Sequence, residues 1–200
     1  MIMVGYCHVL LRRDYSGKKM HLLQMNEIET THLFLRCPIK EDNFTLGDLW
    51  RNKKVREFLG GIVSEDLIEQ KIVELQNHWE LHQFGLWTVY EKNSNLVAGL
   101  CGLHNSEDGI EISYMFFPQF WGQGFASEAV FASIDNGFNT IKIDEIIAIT
   151  QKANLKSCRL LDKLGMKHIK TFERFNATQV KYRLLRTQWR NNFICINGAR

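Results

Sequence analysis

Residues 116–130 read FFPQFWGQGFASEAV: an apolar run, two glycines one residue apart, then a helical pattern. The chemistry this arrangement suits is anion binding. A strand that passes through a glycine turn into a helix presents unpaired backbone N–H groups at the positive end of the helix dipole. Glycine lets a phosphate approach that backbone with no side chain in the way. The alternative is local: Gly122 and Gly124 would supply positive φ for a tight strand-to-helix turn. The pair alone leaves both readings open. Two nucleotide-binding patterns fail on inspection. G-x-G-x-x-G requires a glycine where the chain has Ser127, and the Gly-Lys-Ser/Thr of a phosphate-binding P-loop is absent.

Other residues with chemical potential read more blandly. In NLKSCRLLDKLG, Asn154 suits a helix N-cap and Ser157 a surface serine one turn on, while Cys158 reads as a packed thiol, with no histidine signature to make it a nucleophile. In HWELH, His78 and His82 have the i, i+4 spacing of zinc ligands. Glu80, however, is one place away from the H-E-x-x-H glutamate and no third ligand is evident, so a helix surface without metal is expected.

These residues sit in a chain of 200 with 45% hydrophobic and 24% charged residues and two prolines, enough for one globular domain with a substantial core. Five scattered cysteines, none spaced C-x-x-C, argue against a disulfide framework and for a reducing, cytoplasmic setting. The net charge of +3 comes from intermixed acids and bases, so no basic block tracks nucleic-acid phosphates. No apolar stretch reaches the length of a membrane span, and neither a signal peptide nor an anchor is read.

The elements that must carry the residues follow from periodicity. A strand is expected in THLFLRCP from Thr31, a short helix in DNFTLGDLWRN, and a longer helix capped by Ser64 and running to about His82, with Ile68, Ile72, Leu75 and Trp79 on one face. LWTVYEK, LVAGLCGL and IEISYMFF read as three antiparallel strands. A helix follows from Gly124, then the strand DEIIAIT, a helix closed by Gly165, and two strands in MKHIKTF and QVKYRLL. The order predicts an α+β, mixed α/β layer fold. Residues 1–25, with Met20 and Met25 upstream of the first clear element, are expected to be a poorly ordered extension, 26–190 the domain, and 191–200 a tail.

The stretch EISYMFFPQFWGQGFASEAV, followed by NLKSCRLLDKLGM, resembles the GNAT superfamily of acetyl-CoA-dependent N-acetyltransferases. The pyrophosphate pattern Q/R-x-x-G-x-G/A appears as Gln119, Gly122 and Gly124, and the resemblance is strongest to the RimJ/RimL-like subgroup, over roughly residues 29–190. It implies a mostly antiparallel twisted sheet, splayed at the cofactor site, with helices on both faces. It also implies that Phe116 and Phe117 lie at the splay beside the pantetheine arm, and that the backbone N–H groups of Gly122, Gln123, Gly124, Phe125 and Ala126 hold the pyrophosphate. Asn154 would bond the pantetheine region, and Ser157 would stand near the CoA sulfur.

The resemblance further implies direct transfer of an acetyl group to an amine in a ternary complex, with a small-molecule or peptide N-terminal amine as acceptor and a monomer or homodimer as the unit. Glu111 occupies the position where many members keep a general-base carboxylate, acting directly or through water. Trp50, Phe58, Phe84 and Trp87 divide between core and acceptor wall. One departure stands out: where many members carry a tyrosine as general acid, this chain has Leu161, which leaves Ser157 as the replacement. That departure also admits an alternative, a non-catalytic acyl-CoA-binding regulatory module.

Overall fold

The computed structural model describes residues 27–189, so the expectations for 1–25 and 191–200 lie outside the described residues. Fifteen short helical and extended segments alternate along this span, in the order the periodicity predicts with small additions. The strands are β1 (Glu27–Glu29), β2 (Leu33–Arg36), β3 (Leu86–Glu91), β4 (Leu96–Ser106), β5 (Gly109–Phe116), β6 (Glu145–Gln151), β7 (Lys167–Arg174) and β8 (Ala177–Leu185). The helices are α1 (Asn43–Arg51), α2 (Glu65–His82), α3 (Phe125–Asn136) and α4 (Leu155–Lys163). The three-residue β1 and the 3-10 turns at Lys40–Asp42 and Pro118–Phe120 escape periodicity because none is long enough to show one. Ser64 starts α2 in extended conformation, but its side chain makes no capping bond.

One eight-stranded sheet runs β1-β2-β3-β4-β5-β6-β8-β7. All neighbours are antiparallel except β5 and β6, which run parallel and share one registered pair, Glu111 with Ile147. Beyond that pair the two strands part, and the C-terminal half of each has an edge without a registered partner. The sheet is therefore split at its centre.

Helices cover both faces, as strand parity shows. Cys101 and Leu103 face α3 and the turn after it: Cys101 Sγ lies 3.6 Å from Ser133 Oγ, and a methyl on Gly137 would come within 2.4 Å of Leu103. Thr88 stands opposite Leu100 in the ladder, on the other face, and its hydroxyl donates to Asp42 Oδ2 at 2.9 Å just before α1. Asp42 is 3% exposed, is paired with Arg36 at 3.0 Å, and accepts from Tyr90, so the start of α1 is fixed to β2 and β3. The apolar interior spans both layers, with Leu33, Leu35, Leu46, Leu49, Ile134 and Ile146 fully buried. Among the described residues, no helix is long and apolar enough to cross a membrane.

Candidate active site

The parting of β5 and β6 opens a cavity of ≈ 970 Å³. Its floor is the strand edge Ile112–Phe116 together with Ile149 and Thr150, one end reaches Gly122 and Gly124 at the start of α3, and α4 supplies Asn154 and Ser157. The opposite end is walled by Trp50, Phe58, Leu75, Leu86 and His78, from α1, the loop after it, α2 and β3. Of the aromatic residues in doubt, Trp50 and Phe58 line this cavity, while Phe84 and Trp87 lie in the core without lining it.

The glycine turn has the conformation its composition demands. Gly122 and Gly124 have φ of +77° and +84°, and nothing lies within 4 Å of where a Cβ would sit on either. Left-handed backbone and open space coincide: the turn needs glycine for its own conformation and leaves room beside it for a ligand. Gly124 is the N-cap of α3 and offers no side chain to the first N–H groups of the helix. Phe125 and Ala126 follow on the cavity wall. Gln119 and Gln123 do not line it; the Gln123 amide donates to the Gln119 carbonyl at 2.9 Å and so braces the loop from its outer side. Phe116 lines the cavity and Phe117 is buried beside it, its N–H donating to Ala98 O at 2.9 Å.

Asn154 caps α4 as its type predicts: Oδ1 accepts from the Ser157 N–H at 3.2 Å. Ser157 itself is 8% exposed rather than a surface residue, and its Oγ lies 2.7 Å from Tyr114 Oη across the split in the sheet. Burial pushes the Tyr114 phenol well above its usual range. Leu161 is 1% exposed and packs in the core.

Glu111 is placed next to the cavity without lining it. It stands opposite His104 in the β4–β5 ladder, at the last registered pair before the split. Burial raises its pKa above the ordinary carboxylate range, and Asp108 adds to this, whereas His104, the Ser106 hydroxyl and the Ile149 backbone act the other way. Asp108 is held by Lys181 at 3.1 Å and Arg174 at 2.9 Å, which ties the β4–β5 turn to the last two strands. His104 does line the cavity, with Nε2 2.9 Å from Ser113 Oγ.

His78 has both ring nitrogens engaged, Nδ1 2.8 Å from Phe84 O and Nε2 accepting from the Asn105 N–H at 3.1 Å. That pair of bonds fixes a neutral imidazole protonated on Nδ1, and burial lowers its pKa in the same sense. Among the described residues, no three His, Cys, Asp or Glu side chains are grouped to hold a metal ion.

Tyr114, His104, Trp121 and Lys156 are cavity residues that motif reading passes over. Trp121 Nε1 donates to Phe116 O at 2.7 Å, and Lys156 Nζ lies 5.3 Å from the centre of its ring, so a cation is held at the mouth beside the glycine turn. Parity along β5 puts Tyr114 on the face of Phe116 and could have nominated it; its partner 43 residues later could not be read without the fold.

The acetyltransferase (GNAT) domain family matches residues 32–167. YkkB of Bacillus subtilis, an uncharacterised protein, is 28% identical over 78% of this chain and 94% of its own length. The uncharacterised N-acetyltransferase p20 of Bacillus licheniformis is 30% identical over 70% of this chain and 82% of its own. Among solved structures, the spermidine N-acetyltransferase of Vibrio cholerae, in complex with CoA and spermine, superposes with a TM-score of 0.70 at 16% identity, covering 81% of this chain and 100% of that one.

Proposed function

Since the chain belongs to the acetyltransferase (GNAT) family, we propose that it transfers the acetyl group of acetyl-CoA to a primary amine by direct attack within a ternary complex. The observation that carries this reading is one continuous cavity that joins a left-handed glycine turn, two unpaired strand edges and an aromatic-walled far end. A bound acetyl-CoA supplies an activated thioester, and the chain's own residues do the rest. The N–H groups from Gly122 to Ala126 bind the pyrophosphate at the start of α3, with the Lys156 ammonium beside them. The free edges of β5 and β6 bond an extended pantetheine arm as a strand would. Ser157 donates to the sulfur as negative charge develops there.

The acceptor amine must shed a proton to attack. Glu111, ionised above its raised pKa, takes that proton at one remove from the cavity, past His104 and Ser113, which line it. The motif sequence around Gly122 and Asn154 supports assignment to the RimJ/RimL-like subgroup, whose acceptors are peptide N-termini, and the spermine-bound relative supports a small-molecule amine equally well. The test is a panel of both acceptor classes with acetyl-CoA, scored by release of free CoA thiol. Release with at least one amine is expected. No release from a folded protein whose melting temperature acetyl-CoA does raise would leave a non-catalytic acyl-CoA-binding module in its place.

A further inference from the structure

The hydroxyl of Ser157 has a partner that sequence motifs do not assign, the phenol of Tyr114, which reaches it from β5 across the split between β5 and β6 at 2.7 Å. We propose that Tyr114 is a positioning residue for the leaving thiolate: its O–H donates to Ser157 Oγ, and so turns the serine's own proton into the cavity toward the CoA sulfur. The inference rests on the acetyl-transfer reading above and adds to it the residue that aims the donor.

The direction of the bond follows from relative acidity. A phenol, with an ordinary pKa of about 10, is a far stronger donor than an alkyl alcohol, so the tyrosine donates and the serine oxygen accepts. Ser157 is held from two sides, its N–H by Asn154 Oδ1 at 3.2 Å and its Oγ by Tyr114, and it is 8% exposed, so few rotamers remain open to it. Its one hydroxyl proton then has the cavity, which both residues line, as its open direction. As charge grows on sulfur, the Ser157 bond to it strengthens, and the Tyr114 bond behind it strengthens in turn because hydrogen bonds in a chain polarise one another. No proton leaves Tyr114. Its buried phenol holds its proton far above neutral pH, so the tyrosine remains a donor throughout the working range and is not the acid that protonates the thiolate. The thiolate departs hydrogen-bonded to Ser157 and is protonated by solvent.

This arrangement also accounts for Leu161. With a hydroxyl already delivered through Ser157 from the β5 side, the helix position that elsewhere in the family carries a tyrosine is free to serve the core, where Leu161 is buried.

The experiment is a double-mutant cycle of Tyr114→Phe and Ser157→Ala, with kcat and the KM for acetyl-CoA measured from pH 6.5 to 9.5 with one working amine. Tyr114→Phe is expected to lower kcat about tenfold by the same factor at every pH, with KM changed less than twofold, and to cost nothing further when Ser157 is already alanine. Additive losses in the double variant would overturn the inference, since Tyr114 would then act other than through Ser157. Loss of an alkaline limb in the pH profile would also overturn it, by making Tyr114 the acid. Unchanged kcat in Tyr114→Phe, with the parent active, would remove the residue from the reaction. An inactive parent would instead defeat the acetyl-transfer reading, and the two failures are thereby distinguished. Retention of the acetyl-CoA-induced rise in melting temperature by each variant confirms that the cavity is intact.

Discussion

A carboxylate beside an apolar cavity is costly to ionise, and burial puts that cost on Glu111, the proposed base. Because burial raises its folded-state pKa above the unfolded value, the fold favours the protonated form; its contribution to stability is largest at low pH and is lost as pH rises through the folded pKa. Glu111→Gln removes the charge while keeping the shape. The variant is expected to melt higher than the parent at pH 8 and at nearly the same temperature at pH 4, below the unfolded pKa, as scanning calorimetry at both values would record. If Glu111 is the base, the same variant should lose kcat/KM most on the acid side, where more of the acceptor arrives protonated, with acetyl-CoA affinity unchanged. A parent-like pH–rate profile would show that Glu111 is a strained structural carboxylate and no more. Ser157→Ala should lower kcat at all pH values by about tenfold to a hundredfold, the worth of one hydrogen bond to a developing charge.

At the scale of elements, the turn between β5 and α3 concentrates what the sequence made legible. Two glycines at fixed spacing, an apolar strand before them and a helical period after them can be read without coordinates, because each is a local property of the chain. Element boundaries of the long helices and strands followed for the same reason. What could not be read was non-local. The Tyr114–Ser157 bond, the position of His104 opposite Glu111 and the exclusion of Phe84 and Trp87 from the cavity all depend on which strands adjoin and where one pair separates. Glycine substitutions separate the two kinds of constraint. A methyl on Gly99 would meet Met115 O at 2.2 Å across the β4–β5 ladder, so Gly99→Ala should lower the melting temperature whether or not ligand is present. Gly124→Ala meets no atom and bears only the cost of a left-handed conformation, roughly 1–2 kcal/mol. It should fold, yet, if this turn holds the pyrophosphate as proposed, lose most of the acetyl-CoA-induced stabilisation because its methyl blocks the approach. Thermal melts of both variants, with and without acetyl-CoA, distinguish the fold-limited glycine from the ligand-limited one.

For the whole molecule, the cavity is the junction of elements drawn from across the domain, with lining residues that run from Trp50 in α1 to Leu160 in α4. A ligand that fills it touches both halves of the split sheet and should therefore stabilise the fold as a unit. By mass action, acetyl-CoA at a hundred times its dissociation constant adds about 2.7 kcal/mol, which for a domain of this size is a rise of about 5–11 °C in melting temperature. ATP and NAD should produce no comparable rise, since they lack an extended arm to pair with the free edges of β5 and β6. Because the lining residues among those described lie between Trp50 and Leu160, a chain that begins at Met25 should keep the full acetyl-CoA shift. The decisive comparison is the shift and not the absolute melting temperature. An equal shift in the shortened and full-length chains shows that cofactor binding needs nothing upstream of Met25. A shortened chain that folds but no longer responds to acetyl-CoA would mean that residues 1–24 complete the site.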